Sequence, residues 1–181
     1  GPAYGGSCFP KDTKGLVSIG ETEKVDLSLV KAVIISNEKR KWLLLDRIHT
    51  ILGKNIKNKK ITFLGVTFKP NTDDMRDSVS LTMIPYLHKK GAKITYYDPT
   101  GEKKEFIKFK NCNFYNKIDL ACKNTDLIVL HTEWDEFKSL DFIKLVKNKK
   151  FILYDLRNLY TPIEMKKKKI KYFSIGRQIV K

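Results

Sequence analysis

Cysteine is scarce in this chain: Cys8, Cys112 and Cys122 make an odd set with no C-x-x-C pair. That excludes a disulfide framework and fits a reducing compartment, so the expected setting is the cytoplasm. His131 lies near Cys122 in sequence, but no second ligand pair accompanies them, and no metal site is expected. Long apolar runs are lacking too. No stretch approaches the roughly 20 residues that a membrane span needs, and no signal peptide opens the chain. Arginine is rare: only Arg40, Arg47, Arg76, Arg157 and Arg177 stand among 36 basic residues, although the net charge is +16. Base readout and bidentate phosphate grips favour Arg. The scattered lysines, densest at Lys166–Lys169, therefore read as a solvated face, and no nucleic-acid partner is expected. A G-x-G-x-x-G dinucleotide fingerprint is missing as well, and no internal repeat occurs.

What is present is a foldable chain. It has 181 residues, a hydrophobic fraction of 41% and ten Phe, enough for a core rather than a disordered tail. Residues 1–20 begin as a Gly-rich loop, GPAYGGSCFPKDTK, whose three glycines and two prolines leave little room for regular structure before Lys11. Over 21–53 helical spacing takes over, with Val25, Leu29 and Val33 in one row and Leu44, Ile48 and Ile51 in another. No Gly or Pro interrupts before Gly53, so the pattern predicts one helix of about thirty residues, far longer than the ~11 of an average helix. Helices of that length bridge domains or form subunit contacts.

From residue 60 onward strands and helices alternate. Strands are predicted at Ile61–Val66, Lys93–Tyr97, Asn113–Tyr115, Leu127–Leu130, Phe151–Tyr154 and Tyr172–Ile175. Helices are predicted at Ser80–Lys90, Glu102–Phe109, Asp119–Lys123 and Leu140–Lys147. Repeated β-α-β order with short connections predicts an α/β fold: a parallel, doubly wound, Rossmann-like sheet over 60–181.

Two segments carry chemistry. Cys8 follows Gly5-Gly6-Ser7 and precedes Phe9-Pro10-Lys11-Asp12. Glycines permit close backbone approach, Lys11 supplies a positive charge that favours thiolate, and Asp12 can orient a water or take a proton. The set suits covalent catalysis; a small buried cysteine beside a turn is the plain alternative. The second segment, GVTFKPNTDDMRDS at 65–78, lies between a strand and a helix that Asp77-Ser78 would cap. Lys69 and Arg76 suit a diphosphate there, or pair with Asp73, Asp74 and Asp77.

GGSCFPKD resembles the catalytic-cysteine signature of the UDP-glucose/GDP-mannose dehydrogenase family, over eight consecutive residues. FKPNTDDMRDS resembles the opening of that family's nucleotide-sugar-binding domain, and YYDP at 96–99, HTEW at 131–134, DLRN at 155–158 and the final YFSIGR follow in family order. The resemblance implies an NAD-dependent oxidation of a UDP-sugar, UDP-glucose before GDP-mannose or a UDP-N-acetylhexosamine, with NAD as cofactor. It implies Cys8 as nucleophile and Asp12 as its assistant in hydrolysis. Gly1, Gly5, Phe68 and Lys69 would meet the sugar nucleotide, and Lys11 and Arg76 the cofactor. It implies a homodimer through the central helix. The family's N-terminal NAD-binding domain is not found within these residues, so the fragment alone is expected not to turn over.

Some residues keep two readings. Arg157 touches substrate or pairs with Asp155. Asp98 is a ribose acceptor or caps the sheet edge. Thr132, Glu133 and Trp134 line a nucleotide pocket or belong to the core. Cys112 and Cys122 are read as structural thiols, and His49 and His88 carry no expected role.

Overall fold

The computed structural model describes residues 1–147 and 150–180. Six strands form one wholly parallel sheet in the order β3-β2-β1-β4-β5-β6, where β1 is Lys60–Leu64, β2 Lys93–Tyr97, β3 Cys112–Phe114, β4 Leu127–Leu130, β5 Ile152–Asp155 and β6 Lys171–Ser174. The α/β, doubly wound reading of the sequence is the observed fold. The chain moves outward from β1 through β2 to β3, then returns to β4 beside β1 and moves the other way. Strand order therefore reverses between β1 and β4, and a crevice opens there at the carboxyl ends.

Side chains alternate across β4, so Leu127 and Val129 enter one core while Ile128 and Leu130 enter the other. On the first face α2 (Ser28–Leu52) and α3 (Ser80–Lys89) cover Ile61, Phe63, Ile94 and Tyr154 with Leu45, Ile48, Met83 and Leu87. On the second, α5 (Ile118–Cys122), the 3-10 turn Asp135–Phe137, α6 (Phe142–Leu145) and α7 (Pro162–Lys167) contribute Cys122, Phe137, Phe142 and Met165 against Leu64, Leu130 and Tyr172. The short helix α4 (Lys104–Ile107) seats Phe106 beside Tyr96. The buried Thr62 hydroxyl is paired, lying 2.8 Å from that of Thr95 and 2.9 Å from that of Thr125.

Two expectations about the first 53 residues need correction. The cysteine segment is not loop throughout, because α1 spans Phe9–Thr22. Pro10, read as a breaker, sits in the first turn, where a missing N–H costs no hydrogen bond and a fixed φ suits the helix. Nor is 21–53 a single helix: α1 ends at Thr22 and α2 begins at Ser28. The break is made by a lysine rather than a glycine. Lys24 adopts φ +58°, Val25 N–H donates back to Gly20 O at 2.8 Å, and Asp26 Oδ1 accepts from Ser28 N–H at 2.9 Å. Gly20 allows the two helices to close, since a Cβ there would stand 2.5 Å from Leu27 Cδ1. α2 remains long, at 25 residues. Ser78 does not cap α3 as expected; its hydroxyl and that of Ser80 both donate to Val66 O at 2.6 Å, holding the loop after β1.

Among the described residues no helix is long and apolar enough to cross a membrane, and no three His, Cys, Asp or Glu side chains converge as metal ligands.

Candidate functional site: a cysteine segment over the strand-order crevice

The crevice between β1 and β4 begins at Gly65. Its φ is +72°, and a Cβ there would lie 2.5 Å from Thr132 Cβ, so only glycine lets the chain leaving β1 pass this close to the end of β4. The same turn ends β1 at Leu64, short of the expected Val66. Thr132 then donates from its hydroxyl to Thr67 O at 2.7 Å, tying the two lips together.

Arg157, from the loop after β5, closes the floor. Its Nε donates to His131 O at 2.7 Å and its Nη2 to Phe68 O at 2.8 Å. Glu133 supplies the countercharge: Oε1 accepts from Nη1 at 3.3 Å, while Oε2 lies 2.8 Å from Nε but off its N–H axis, so that contact is ionic. Burial pushes the guanidinium below its ordinary pKa, and Glu133 opposes the shift. The side chain is not paired with Asp155, as one reading had it. Asp155 instead accepts from the backbone N–H of Arg157 at 2.9 Å and of Tyr160 at 3.0 Å and from the Tyr172 hydroxyl at 2.9 Å, shaping the loop that presents Arg157. One guanidinium thus spans carbonyls from the β1 and β4 loops, a use that needs the forked donors of Arg.

The cysteine segment lies across this crevice. Gly6 N–H donates to Arg76 O at 2.8 Å. A Cβ on Gly5 would meet Asp77 O at 2.4 Å, and one on Gly6 would meet the Phe68 ring at 2.7 Å. The glycine pair is what lets a second backbone rest on the β1–α3 loop. Gly1 comes to Arg157, its virtual Cβ 3.1 Å from Nη1. Gly1, Gly5, Phe68 and Arg157 therefore meet in one place. Cys8 is exposed and occupies the N-cap of α1, at the positive end of a 14-residue helix, with the Ser7 hydroxyl 3.6 Å from its sulfur. Asp12 follows one helical turn later, its N–H donating to Cys8 O at 2.8 Å.

The remaining expected charges are exposed. Lys11 is exposed and lies 3.6 Å from the Asp12 carboxylate. Lys69 is exposed, with Nζ 5.4 Å from the Phe68 ring centre. Arg76 makes the local pair weighed from its sequence, a fork on Asp74 with Nη2 to Oδ2 at 2.7 Å. That hydrogen bonding raises its pKa and lowers that of Asp74. A cavity of about 560 Å³ opens beyond Arg76 between the β1 and β2 loops, lined by Asp73, Asp74, Thr100, Lys103 and Glu105. It shares only Arg76 with the expected site.

Asp98 is no ribose acceptor. Its carboxylate takes Val66 N–H at 2.8 Å and both Thr100 donors, with Lys103 Nζ at 3.7 Å, and caps the sheet edge. With that acid committed and no triple-glycine turn after β1, this sheet does not fit a dinucleotide in its own crevice. Trp134 belongs to the core, and burial pushes the Cys112 and Cys122 thiols up to about 12. Two residues with no sequence signal emerge, Asn37 and Arg40 on α2. They bond to the backbone of Tyr4 and Gly1 respectively.

A doubly wound parallel sheet with a thiol-bearing segment over its strand-order reversal defines the class. Residues 62–162 match the UDP-glucose/GDP-mannose dehydrogenase family, UDP binding domain, and residues 1–39 match the same family's central domain. The chain belongs to the UDP-glucose/GDP-mannose dehydrogenase family. It is 40% identical over 178 residues to a UDP-glucose 6-dehydrogenase of Rhizobium meliloti (strain 1021), covering 98% of this chain and 41% of that one. To a UDP-glucose 6-dehydrogenase of Bacillus subtilis (strain 168) it is 36% identical, covering all of this chain and 40% of the relative. A UDP-glucose dehydrogenase structure from Pyrobaculum islandicum superposes with a TM-score of 0.74 at 26% identity, over 86% of this chain and 34% of that one. The chain thus spans about two-fifths of the length of the curated relatives it matches.

Proposed function

We propose that the protein carrying this chain is an NAD-dependent UDP-glucose 6-dehydrogenase, and that this chain supplies its nucleophile and its sugar-nucleotide-binding half. The observation that carries this reading is the fit of the cysteine segment over the crevice, Gly6 N–H on Arg76 O beside Phe68 and Arg157. The names of the relatives favour UDP-glucose over GDP-mannose or an N-acetylhexosamine nucleotide.

In this reading the UDP-sugar lies in the crevice. Gly1 and Gly5 allow its approach, Phe68 offers a ring face, and Lys69 and Arg157 answer the diphosphate charge. The Cys8 sulfur adds to the C6 aldehyde left by a first oxidation, forming the C–S bond of a thiohemiacetal whose oxygen takes up a proton. Loss of hydride and that proton leaves a thioester, and water then breaks the C–S bond to give carboxylate and thiol. Asp12, one turn from Cys8, directs the water and takes its proton. Bound NAD would supply the hydride acceptor for each oxidation, and Lys11 and Arg76 are the exposed charges that would face it. The exposed apolar side chains of α2 support a homodimer through that helix, and three free thiols fit the cytoplasm.

The test uses the protein read from the same gene with its upstream residues. Two NADH per UDP-glucose are expected, and Cys8→Ala should lower turnover by on the order of 1,000-fold or more. Turnover of GDP-mannose or an N-acetylhexosamine nucleotide instead would move the protein within its family. No NADH from any of them would leave a binding module.

A further inference from the structure

Tyr4 belongs to no helix or strand, yet both its backbone groups are paired with one side chain. Its N–H donates to Asn37 Oδ1 at 2.9 Å, and its carbonyl accepts from Asn37 Nδ2 at 3.1 Å. Asn37 lies 33 residues further along the chain, within α2, and is 8% exposed. A buried carboxamide inside a helix gains nothing in helix propensity and must find partners. Here it finds one acceptor and one donor on a single residue, an imitation of strand pairing. The pairing also fixes the amide's orientation, because the flipped group would set N–H against N–H and oxygen against oxygen. One turn along α2, Arg40 donates from Nε and Nη2 to Gly1 O at 3.2 and 2.9 Å.

The segment leading to the cysteine is thus held from two sides. α2 grips it at residues 1 and 4, and the β1–α3 loop grips it at residues 5 and 6. The Tyr4 ring then meets the Phe9 ring edge-on at 4.6 Å, closing a short arch over residues 5–8.

We infer that Asn37 is a positioning residue for Cys8: it fixes Tyr4 against α2 and so sets the path that carries the sulfur to the rim of the crevice. Among the described residues its side-chain hydrogen bonds go to Tyr4 alone, so it acts through the segment and not on substrate. The consequence for rate rests on the reading of Cys8 as nucleophile; the consequence for the segment does not. Asn is required because Asp offers Tyr4 no donor and turns a carboxylate on its carbonyl, while Ala offers nothing.

Two measurements on Asn37→Asp and Asn37→Ala test this. In the 181-residue chain, amide exchange over residues 3–9 should quicken by about tenfold or more, while β1 and β4 keep their wild-type protection. In the protein with its upstream residues, kcat should fall by on the order of 10- to 100-fold with the KM for UDP-glucose within about twofold, as misplacement of a reacting atom by about 1 Å would give. Unchanged exchange over 3–9 in both variants overturns the inference. So does protection lost equally across the sheet, which would make Asn37 a general structural residue. Faster local exchange with kcat unchanged, or a raised KM alone, also overturns it. If the wild-type protein makes no NADH from any sugar nucleotide, the catalytic reading falls, and the exchange result still decides what Asn37 does to the segment.

Discussion

The sheet region, 60–180, and the helical arm, 1–52, spend their apolar residues in opposite ways. Strands β1 and β4 are buried almost end to end, and each face of the sheet has its own closed cluster. In the arm, nine of the fourteen exposed large apolar side chains among the described residues lie between Phe9 and Leu43, with Leu29 at 79% and Ile19 at 62% exposure. The apolar side chains of α2 that are buried all fall in its last nine residues, Leu44, Leu45, Ile48 and Ile51, where the helix lies on the sheet. The difference teaches that the sheet region closes its core within this chain, whereas the arm presents a surface suited to another body. The crevice site lies where the two regions meet.

The largest effect should come from breaking the closed region. Phe63 is fully buried on β1, and Phe63→Ala should lower unfolding stability by about 3–5 kcal/mol, lost transfer and cavity terms together. Urea unfolding of the 181-residue chain measures it. A loss below about 1 kcal/mol would mean that this core is not close-packed.

A pH experiment sharpens the comparison at the seam. His131 follows β4 on the same face as Val129, fully buried and near Arg157. The hydroxyl proton of Thr132 goes to Thr67 O, so the imidazole contact at 3.0 Å requires an Nδ1–H donor and leaves the buried Nε2 lone pair without a protein partner. Burial first, and the Arg157 charge second, lower its pKa from 6.5 to about 3. The sign follows from proton uptake. Below pH 6.5 the unfolded chain takes a proton on this residue and the folded chain does not, so stability falls as pH drops from 6.5 toward 3. At about 1.4 kcal/mol per pH unit, the loss from pH 6.5 to 4 is roughly 3 kcal/mol. Stability curves of the wild type and His131→Leu should diverge over that window. Parallel curves would mean that the imidazole titrates in the folded state.

How much of this was legible follows the same division. The central strands were readable because a strand buried on both faces is a short apolar run bounded by turn residues, as in Leu127–Leu130. Their β-α-β order then dictated a parallel sheet. Within the candidate site, the glycines at 5 and 6 and the family motifs marked segments that the fold brings together. The arm was harder. Its periodicity runs straight through 23–27, and the break depends on Lys24 taking φ +58°, which no composition signal announces. Pro10 has two opposite uses, and only the position of the helix start tells them apart. Asn37 and Arg40 sit among polar residues of a helix like any solvated pair, and their partners lie more than 30 residues away. Arg157 was singled out, but its grip on the β1 and β4 loops depends on a strand-order reversal that only the fold reveals.

The smallest effect belongs to the arm and turns on what covers it. Leu29 contributes little to the fold of the isolated chain, so Leu29→Ala should change its unfolding free energy by no more than about 0.5 kcal/mol. The residue's weight should appear in association instead. If α2 pairs with a second copy, Leu29→Asp places a charge in an apolar contact and should weaken dimerisation by on the order of tenfold or more, read from sedimentation across a concentration series. Were Leu29→Ala to cost the monomeric chain more than about 1.5 kcal/mol, the face would already be covered within one chain, and the contrast between the two regions would fail. An unchanged association constant for Leu29→Asp would keep that contrast and remove this face from the dimer. The exposed stretch would then have to meet a different body, and the first half of α2 would be read as the seat of a neighbouring domain.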